Sequence, residues 1–371
     1  MSDRSLTNPK SLVSLWPMVA FLHLIGLCAG AQETTNAFPG IGSEIERIRF
    51  HTGQVVDNQP QISPILPAIP GSPSHWSLLQ WAQPQVILPT SLKTDDPTTR
   101  DARFGVAKYA FDASDRHSHM WIYQEPVSHH PVYELYERGG ALTPAGGANV
   151  FLASDAPPGG ISLANELLYE MDAKLSKASV DASLTAQRSG AVLAQVFAGF
   201  VIHFPEQDGK TISTLFLQLP IARSIASLNE YRSCTLDNGR RSVIFGALPA
   251  NNSYLPFKID KGPLRHLRFN LNSYICDLIS RPVICTDSTG QKTNWSLPAA
   301  LVSFQDWKLL NMYVGLETEV QDLRAQSPKT EPQGKVEVAL QLANLKVTPD
   351  YRADFNRASC ALTKPAAPLN R

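Results

Sequence analysis

Residues 310–320, LNMYVGLETEV, alternate in character along most of their length. Leu310, Met312, Val314, Leu316 and Val320 fall on one side of an extended chain, and Asn311, Tyr313, Gly315, Glu317 and Glu319 on the other. Successive side chains of a strand point to opposite faces, so the pattern describes a strand with one face in a core and the other toward solvent or a ligand. Residues 335–347, KVEVALQLANLKV, repeat it: Val336, Val338, Leu340 and Leu342 alternate with Lys335, Glu337, Ala339 and Gln341. The phase then slips near Asn344, as a bulge would cause. A period of two also fits 117–124, 132–137, 149–153, 166–175, 192–204, 213–219, 243–248 and 264–271. One short helix is expected at 273–280, capped by Asn272 or Ser273.

Many strands separated by Pro- and Gly-bearing turns, with few helices, point to an all-β, large antiparallel two-sheet β-sandwich. It exceeds an immunoglobulin-type unit of about 100 residues and suits a jelly roll better. Its layout is similar to that of lectins and glucanases, in which a curved sheet presents a polar, aromatic face; no sequence motif accompanies the likeness. The sandwich is expected over 74–350. Residues 32–73, with Pro39, Pro60, Pro64, Pro67, Pro70 and Pro73 and little periodicity, read as a Pro-rich flexible linker. Residues 351–371 read as a C-terminal tail tethered by a disulfide through Cys360.

The chain begins as an exported one would. Arg4 and Lys10 precede an apolar run of sixteen residues from Leu12 to Leu27, and Ala29-Gly30-Ala31 supplies small residues at a cleavage position. Residues 1–31 therefore read as a signal peptide, with the mature chain starting near Gln32. A membrane anchor is the rival reading; the run is shorter than the ~20 residues a bilayer needs, and Pro17 interrupts it. No membrane insertion is expected after cleavage, and the expected location is secreted or periplasmic. Removing the signal takes Cys28 and leaves Cys234, Cys276, Cys285 and Cys360, enough for two disulfides. Closeness in sequence favours Cys276 with Cys285, leaving Cys234 with Cys360; the rival pairing begins with Cys234–Cys285. Zinc is disfavoured because no C-x2-C spacing occurs.

The 33 basic and 33 acidic side chains balance, so nothing electrostatic argues for a nucleic-acid partner or an anionic membrane surface. G-x-S-x-G, H-E-x-x-H, P-loop, Rossmann and E-x-D-x-x-E patterns are absent, and no cofactor is implied. Asn251-Asn252-Ser253 and Asn294-Trp295-Ser296 match the N-glycosylation pattern, which matters only in a eukaryotic host.

Chemistry has to be sought on strand faces. In DRHSHMWIYQ, His117, His119, Trp121 and Tyr123 project to one side while Met120 and Ile122 point into the core. Two histidines at this spacing can share a metal, but no third ligand stands at an established spacing, so no metal is assigned. The aromatic rings can pack against the C–H face of a sugar, or simply lie beneath a loop. Gln195 and His203 share a side of AQVFAGFVIHF, and Glu317 joins Tyr313 on its strand. His266, Arg268 and Asn270 share a face of LRHLRFNLN. A polysaccharide lyase would want such groups: Arg268 and Asn270 to neutralise a uronic carboxylate, His266 or His203 as base, Tyr313 as acid. Glycoside hydrolysis would instead use Glu317 and Glu319, about 6.5–7 Å apart by strand rise.

Two functions follow. The first is a secreted carbohydrate-acting protein that binds or cleaves a polysaccharide or oligosaccharide on a polar, aromatic sandwich face, a lyase being preferred to a glycoside hydrolase if it is an enzyme. The second is an exported, non-catalytic structural or adhesion module with a protein partner. Clustering of Trp121, His266, Arg268 and Tyr313 in one groove would favour the first; scattering over both sheets would favour the second.

Overall fold

The computed structural model describes residues 49–56, 59–65, 76–81, 83, 85–139, 148–189, 192–204, 214–224, 232–237, 242–247, 254–287, 289–295, 304, 306–320, 334–354 and 360. The expected signal peptide, residues 1–31, lies outside them.

Two sheets carry the fold. The 12-stranded sheet runs Lys292–Trp295 (β19), Val283–Thr286 (β18), Arg232–Asp237 (β15), Ser242–Ala247 (β16), Thr214–Arg223 (β14), Val192–His203 (β13), Lys308–Val320 (β20), Ala148–Asp155 (β10), Trp76–Trp81 (β3), Arg49–Val56 (β1) and Gln59–Ile65 (β2), with Ile161–Ser162 (β11) also on β20. The 7-stranded sheet runs Arg265–Asn270 (β17), Asn165–Ala182 (β12), Gly334–Asp354 (β21), Pro131–Gly139 (β9), Ser118–Gln124 (β8), Tyr109–Asp112 (β7) and Lys93–Thr94 (β4). Arg100–Asp101 (β5) and Gly105–Val106 (β6) form a small ribbon, and among the described residues Leu184–Ser189 (α1) and Leu271–Ser280 (α2) are the α-helices. Pairing is antiparallel except between β1 and β3, β14 and β16, and β15 and β18.

The alternation builds the core. Val150, Leu152, Val196, Phe200, Met312, Val314 and Leu316 from the large sheet meet Met120, Ile122, Tyr133, Leu135, Val338, Leu340 and Leu342 from the small one, all buried in one cluster. Near 25 cal/mol per Å² of apolar surface removed from water, this shared layer is the main force holding the sheets together. Leu310 departs from its expected place: the ladder jumps from Val201↔Asn311 to Ile202↔Leu309, so Leu310 is bulged out and fully buried Leu309 takes the inward position. The slip expected near Asn344 is present. Glu170 pairs with Lys346 and Asp172 with Ala343, and Asn344 sits at φ 54°, a left-handed conformation that asparagine tolerates.

Three further expectations change. Helix α2 starts at Leu271, capped by Asn270, whose side chain accepts from the Asn272 N–H. Residues 49–56 and 59–65, inside the expected linker, form a hairpin against β3, with Phe50 fully buried. Pro60 and Pro64 are tolerated because β2 is an edge strand. The disulfides are Cys234–Cys285 and Cys276–Cys360 rather than the favoured Cys276–Cys285 and Cys234–Cys360. The parallel contact Thr235↔Thr286 brings β15 against β18 and sets Cys234 beside Cys285, while Cys276 faces inward from α2. Cys360 is bonded to Cys276, and residues 351–354 of the expected tail belong to β21.

Candidate functional site

The outward face of the large sheet is assembled row by row by strand register. Glu317 on β20 stands between Asn149 on β10 and Gln195 on β13, and Gln195 stands opposite Arg223 on β14. Two residues along, Gly315 separates Phe151 from Phe197; the next row holds Tyr313 between Ala153 and Gly199, with Gln218 beyond. Phe151, Phe197 and Tyr313 pack as a ring triangle with centroids 5.1–5.9 Å apart. Gly199 is required there: a Cβ on it would run into the Tyr313 ring.

Polar groups of this face are enclosed. Asn149, Gln195, Glu317 and Glu319 are all buried. The Gln195 side-chain N–H donates to Glu317 Oε2, and the Gln218 amide donates to the Tyr313 hydroxyl at 3.3 Å. Burial lifts the Glu317 carboxyl to about 7, the negative charge of Glu319 adding to the effect while Gln195 and Arg223 oppose it. Burial also raises the Tyr313 phenol. A carboxyl poised near neutrality beside a second carboxyl on the same face can give and take a proton.

The small sheet has its own outward face. His119 stacks between Trp121 and Tyr136, at centroid distances of 3.8 and 4.7 Å. The Trp121 indole N–H donates to Asp112 at 2.8 Å, and His119 Nε2 lies 3.3 Å from Glu134 Oε1. Glu134 also accepts from Ser176 and Gln341, each at 2.7 Å, and the same Gln341 nitrogen donates to Asp101 at 3.0 Å. Asp101 is held below the usual carboxylate range: desolvation pushes it up, but Gln341, the Phe104 and Arg103 N–H groups and the Lys174 charge outweigh it. Tyr123 is covered by Phe104 and Ala107, so it is packed rather than ligand-facing. His117 precedes the strand, and its ring lies 3.2 Å from the Asp115 carbonyl. Among the described residues no group of three or more His, Cys, Asp or Glu could hold a metal ion.

The expected lyase set is not brought together. Arg268 and His266 project from β17 in the small sheet, where His266 meets Asp172 at 2.9 Å and Glu170 at 3.5 Å, and Arg268 meets Glu170 at 3.7 Å. Asn270 donates to Glu166 and caps α2. Tyr313 lies in the other sheet, across the core. β17 pairs with β12, and nothing in its local sequence reveals that partner. His203 shares a face with Gln195 but stands eight residues along β13, about 26 Å away by strand rise. Gln195 and Glu317 do meet, and Tyr313 shares their face two rows along. Asn149, Arg223 and Gln218 join them without having been singled out in the sequence; the period of two puts Asn149 and Gln218 on that face, whereas Arg223 reaches it only past the β14 bulge at Ile221.

No protein-family model matches the chain, and no curated protein does. Solved structures with a similar fold include a thermostable cellulase derived from the Rhodothermus marinus enzyme, at 8% identity and TM-score 0.31, covering 74% of this chain and 100% of that one. A family 11 xylanase from Neocallimastix patriciarum aligns at 7% identity and TM-score 0.31 over 65% of this chain and 90% of its own. A family 12 xyloglucanase from Bacillus licheniformis aligns at 8% identity and TM-score 0.30 over 70% and 99%. Likeness at this level carries no argument about this chain's reaction.

Proposed function

We propose that this chain is an exported protein that binds and cleaves a polysaccharide on the outward face of its large sheet, with Glu317 as proton donor and Glu319 as the second carboxyl group. The observation that carries the reading is the row Asn149–Glu317–Gln195: a raised carboxyl between two amides, with Glu319 two residues away on the same strand face. Amides and carboxyls bind sugar hydroxyls in pairs, and the neighbouring Phe151, Phe197 and Tyr313 rings offer apolar surface for the sugar's C–H faces. Glycoside hydrolysis is favoured over elimination because His266 and Arg268 lie on the other sheet and His203 stands eight residues along β13 from the row. Two disulfides suit an oxidising compartment. No described helix is long and apolar enough to cross a membrane.

Every member of the row is buried, so the reading requires the face to open to a ligand. That same burial supports the rival, a non-catalytic module whose partner meets the partly exposed His119, Trp121 and Tyr136 instead. A reducing-end assay on a panel of soluble polysaccharides separates them. The wild type should release ends, and Glu317→Gln should lose about 10²–10⁴-fold of that rate with its melting temperature held within a few degrees. No release from any substrate, or an unaffected Glu317→Gln, would leave the binding module.

A further inference from the structure

Glu137 is the opposite case to Glu317, a carboxyl turned inward between the sheets. Its register partners are Ser118 on β8 and Val338 on β21, and it is 0% exposed. Gln83, just beyond β3, reaches it from the other sheet: one amide nitrogen donates to Glu137 Oε2 at 2.7 Å and to the Asn149 carbonyl at 3.1 Å. Those two bonds fix which end of the amide is nitrogen. Both remaining oxygens, Gln83 Oε1 and Glu137 Oε1, are buried without a hydrogen-bond partner. Two acceptors cannot satisfy each other, and leaving a buried polar atom unpaired is destabilising. Ser118 Oγ, opposite Glu137 on β8, and Thr318 Oγ1 are buried without a partner as well. A proton on Glu137 Oε1 would supply a donor for Gln83 Oε1 and would close the two-bond ring that a carboxylic acid forms with a primary amide.

We propose that Glu137 and Gln83 form a carboxylic acid–amide latch that ties β9 of the small sheet to β3 and β10 of the large one, and that the latch holds only while Glu137 keeps its proton. The surroundings agree. Thr318 on β20 and Val336 on β21 lie against Gly139, two residues further along the same inward face, and neither carries a charge. Among the described residues the charged group that acts on Glu137 is Asp115, in the turn before β8, and its negative charge disfavours ionisation. Desolvation is the larger effect and lifts the carboxyl to about 8, against the opposing Gln83 bond and the Arg138 backbone N–H. Losing the proton gives a carboxylate facing the Gln83 carbonyl oxygen; the proton goes to solvent and the ring opens.

Glu137→Gln makes the test, because an amide–amide pair keeps the shape and both bonds but cannot titrate. Urea unfolding of the full chain and the variant, both in a Glu317→Gln background, is followed from pH 5 to 9. The ratio of wild-type to variant unfolding constants should climb by up to tenfold per pH unit and level off above pH 8. A ratio flat across that range overturns the proposal. Should the variant fail to fold, infrared spectra of the Glu317→Gln protein alone serve: a protonated-carboxyl band that survives at pH 7 and fades by pH 9 is expected, and its absence at pH 7 overturns the latch. Both readouts concern protonation and stability, so they are independent of polysaccharide cleavage.

Discussion

At Gly199 and Tyr313 the outward face of the large sheet is set by what one residue lacks. The Tyr313 ring lies over the β13 backbone only because Gly199 has no Cβ to meet it. Gly199→Ala should destabilise by about 1–3 kcal/mol through forced displacement of the ring. In a double-mutant cycle with Tyr313→Ala the losses should fall well short of additive, because removing the ring removes the clash. Additive losses in urea unfolding would show that the ring is not the obstacle. Asn311 and Met312 make a second case. They alternate as polar and apolar, yet both are 0% exposed, and Asn311 donates to Asp155 at 2.9 Å. Met312→Ala should cost about 2–5 kcal/mol as a core cavity, and Asn311→Ala about 1–3 as a lost buried hydrogen bond. An Asn311→Ala loss below about 0.5 kcal/mol would mean that residue meets solvent.

Among the elements, strands were legible in the sequence and their partners were not. The periodicity over 310–320 and 335–347 corresponds to β20 and the first part of β21, and the slip at Asn344 to a real bulge, because alternation is a local property of an extended chain. The bulge at Leu310 left no such sign, since Leu309 and Leu310 are both leucine and either could face the core. Pairing is non-local. Nothing in LRHLRFNLN distinguishes a strand beside β12 from one beside β20, so the basic residues of β17 could not be separated from Tyr313 before the sheets were seen. The cysteines failed for the same reason: nearness in sequence favoured Cys276–Cys285, whereas the β15–β18 contact brings Cys234 to Cys285. Non-reducing peptide maps should therefore link the peptides of Cys234 with Cys285 and of Cys276 with Cys360. Cys360→Ser should cost about 2–5 kcal/mol and leave the first link intact. A Cys276–Cys285 peptide would overturn this assignment.

At the scale of the whole molecule, the carboxyls displaced from their usual range among the described residues divide into two groups with opposite pH behaviour. Asp96, Asp101, Glu125, Asp260 and Glu337 are held below their usual range, by hydrogen bonds, by nearby cations or by both. A group lowered in the folded state stabilises it above the unfolded value, so these favour folding above about pH 4. Most of them meet solvent, which screens their contribution. Glu137 and Glu317 are fully buried and raised to about 8 and about 7. Between the ordinary glutamate value of 4.5 and those figures the folded state holds protons that the unfolded chain has released. Their stabilisation is therefore complete below pH 4.5 and shrinks as pH rises, by up to about 1.4 kcal/mol per pH unit for each group. The two trends cross in mild acid. Thermal unfolding should give a maximum melting temperature near pH 5 and a decline of many degrees by pH 8. Glu137→Gln and Glu317→Gln together should flatten the alkaline limb without moving the acid limb, because the lowered carboxyls remain. A wild-type profile that rises from pH 5 to 8, or a double variant that keeps the wild-type decline, would show that these two glutamates are not protonated in the folded chain.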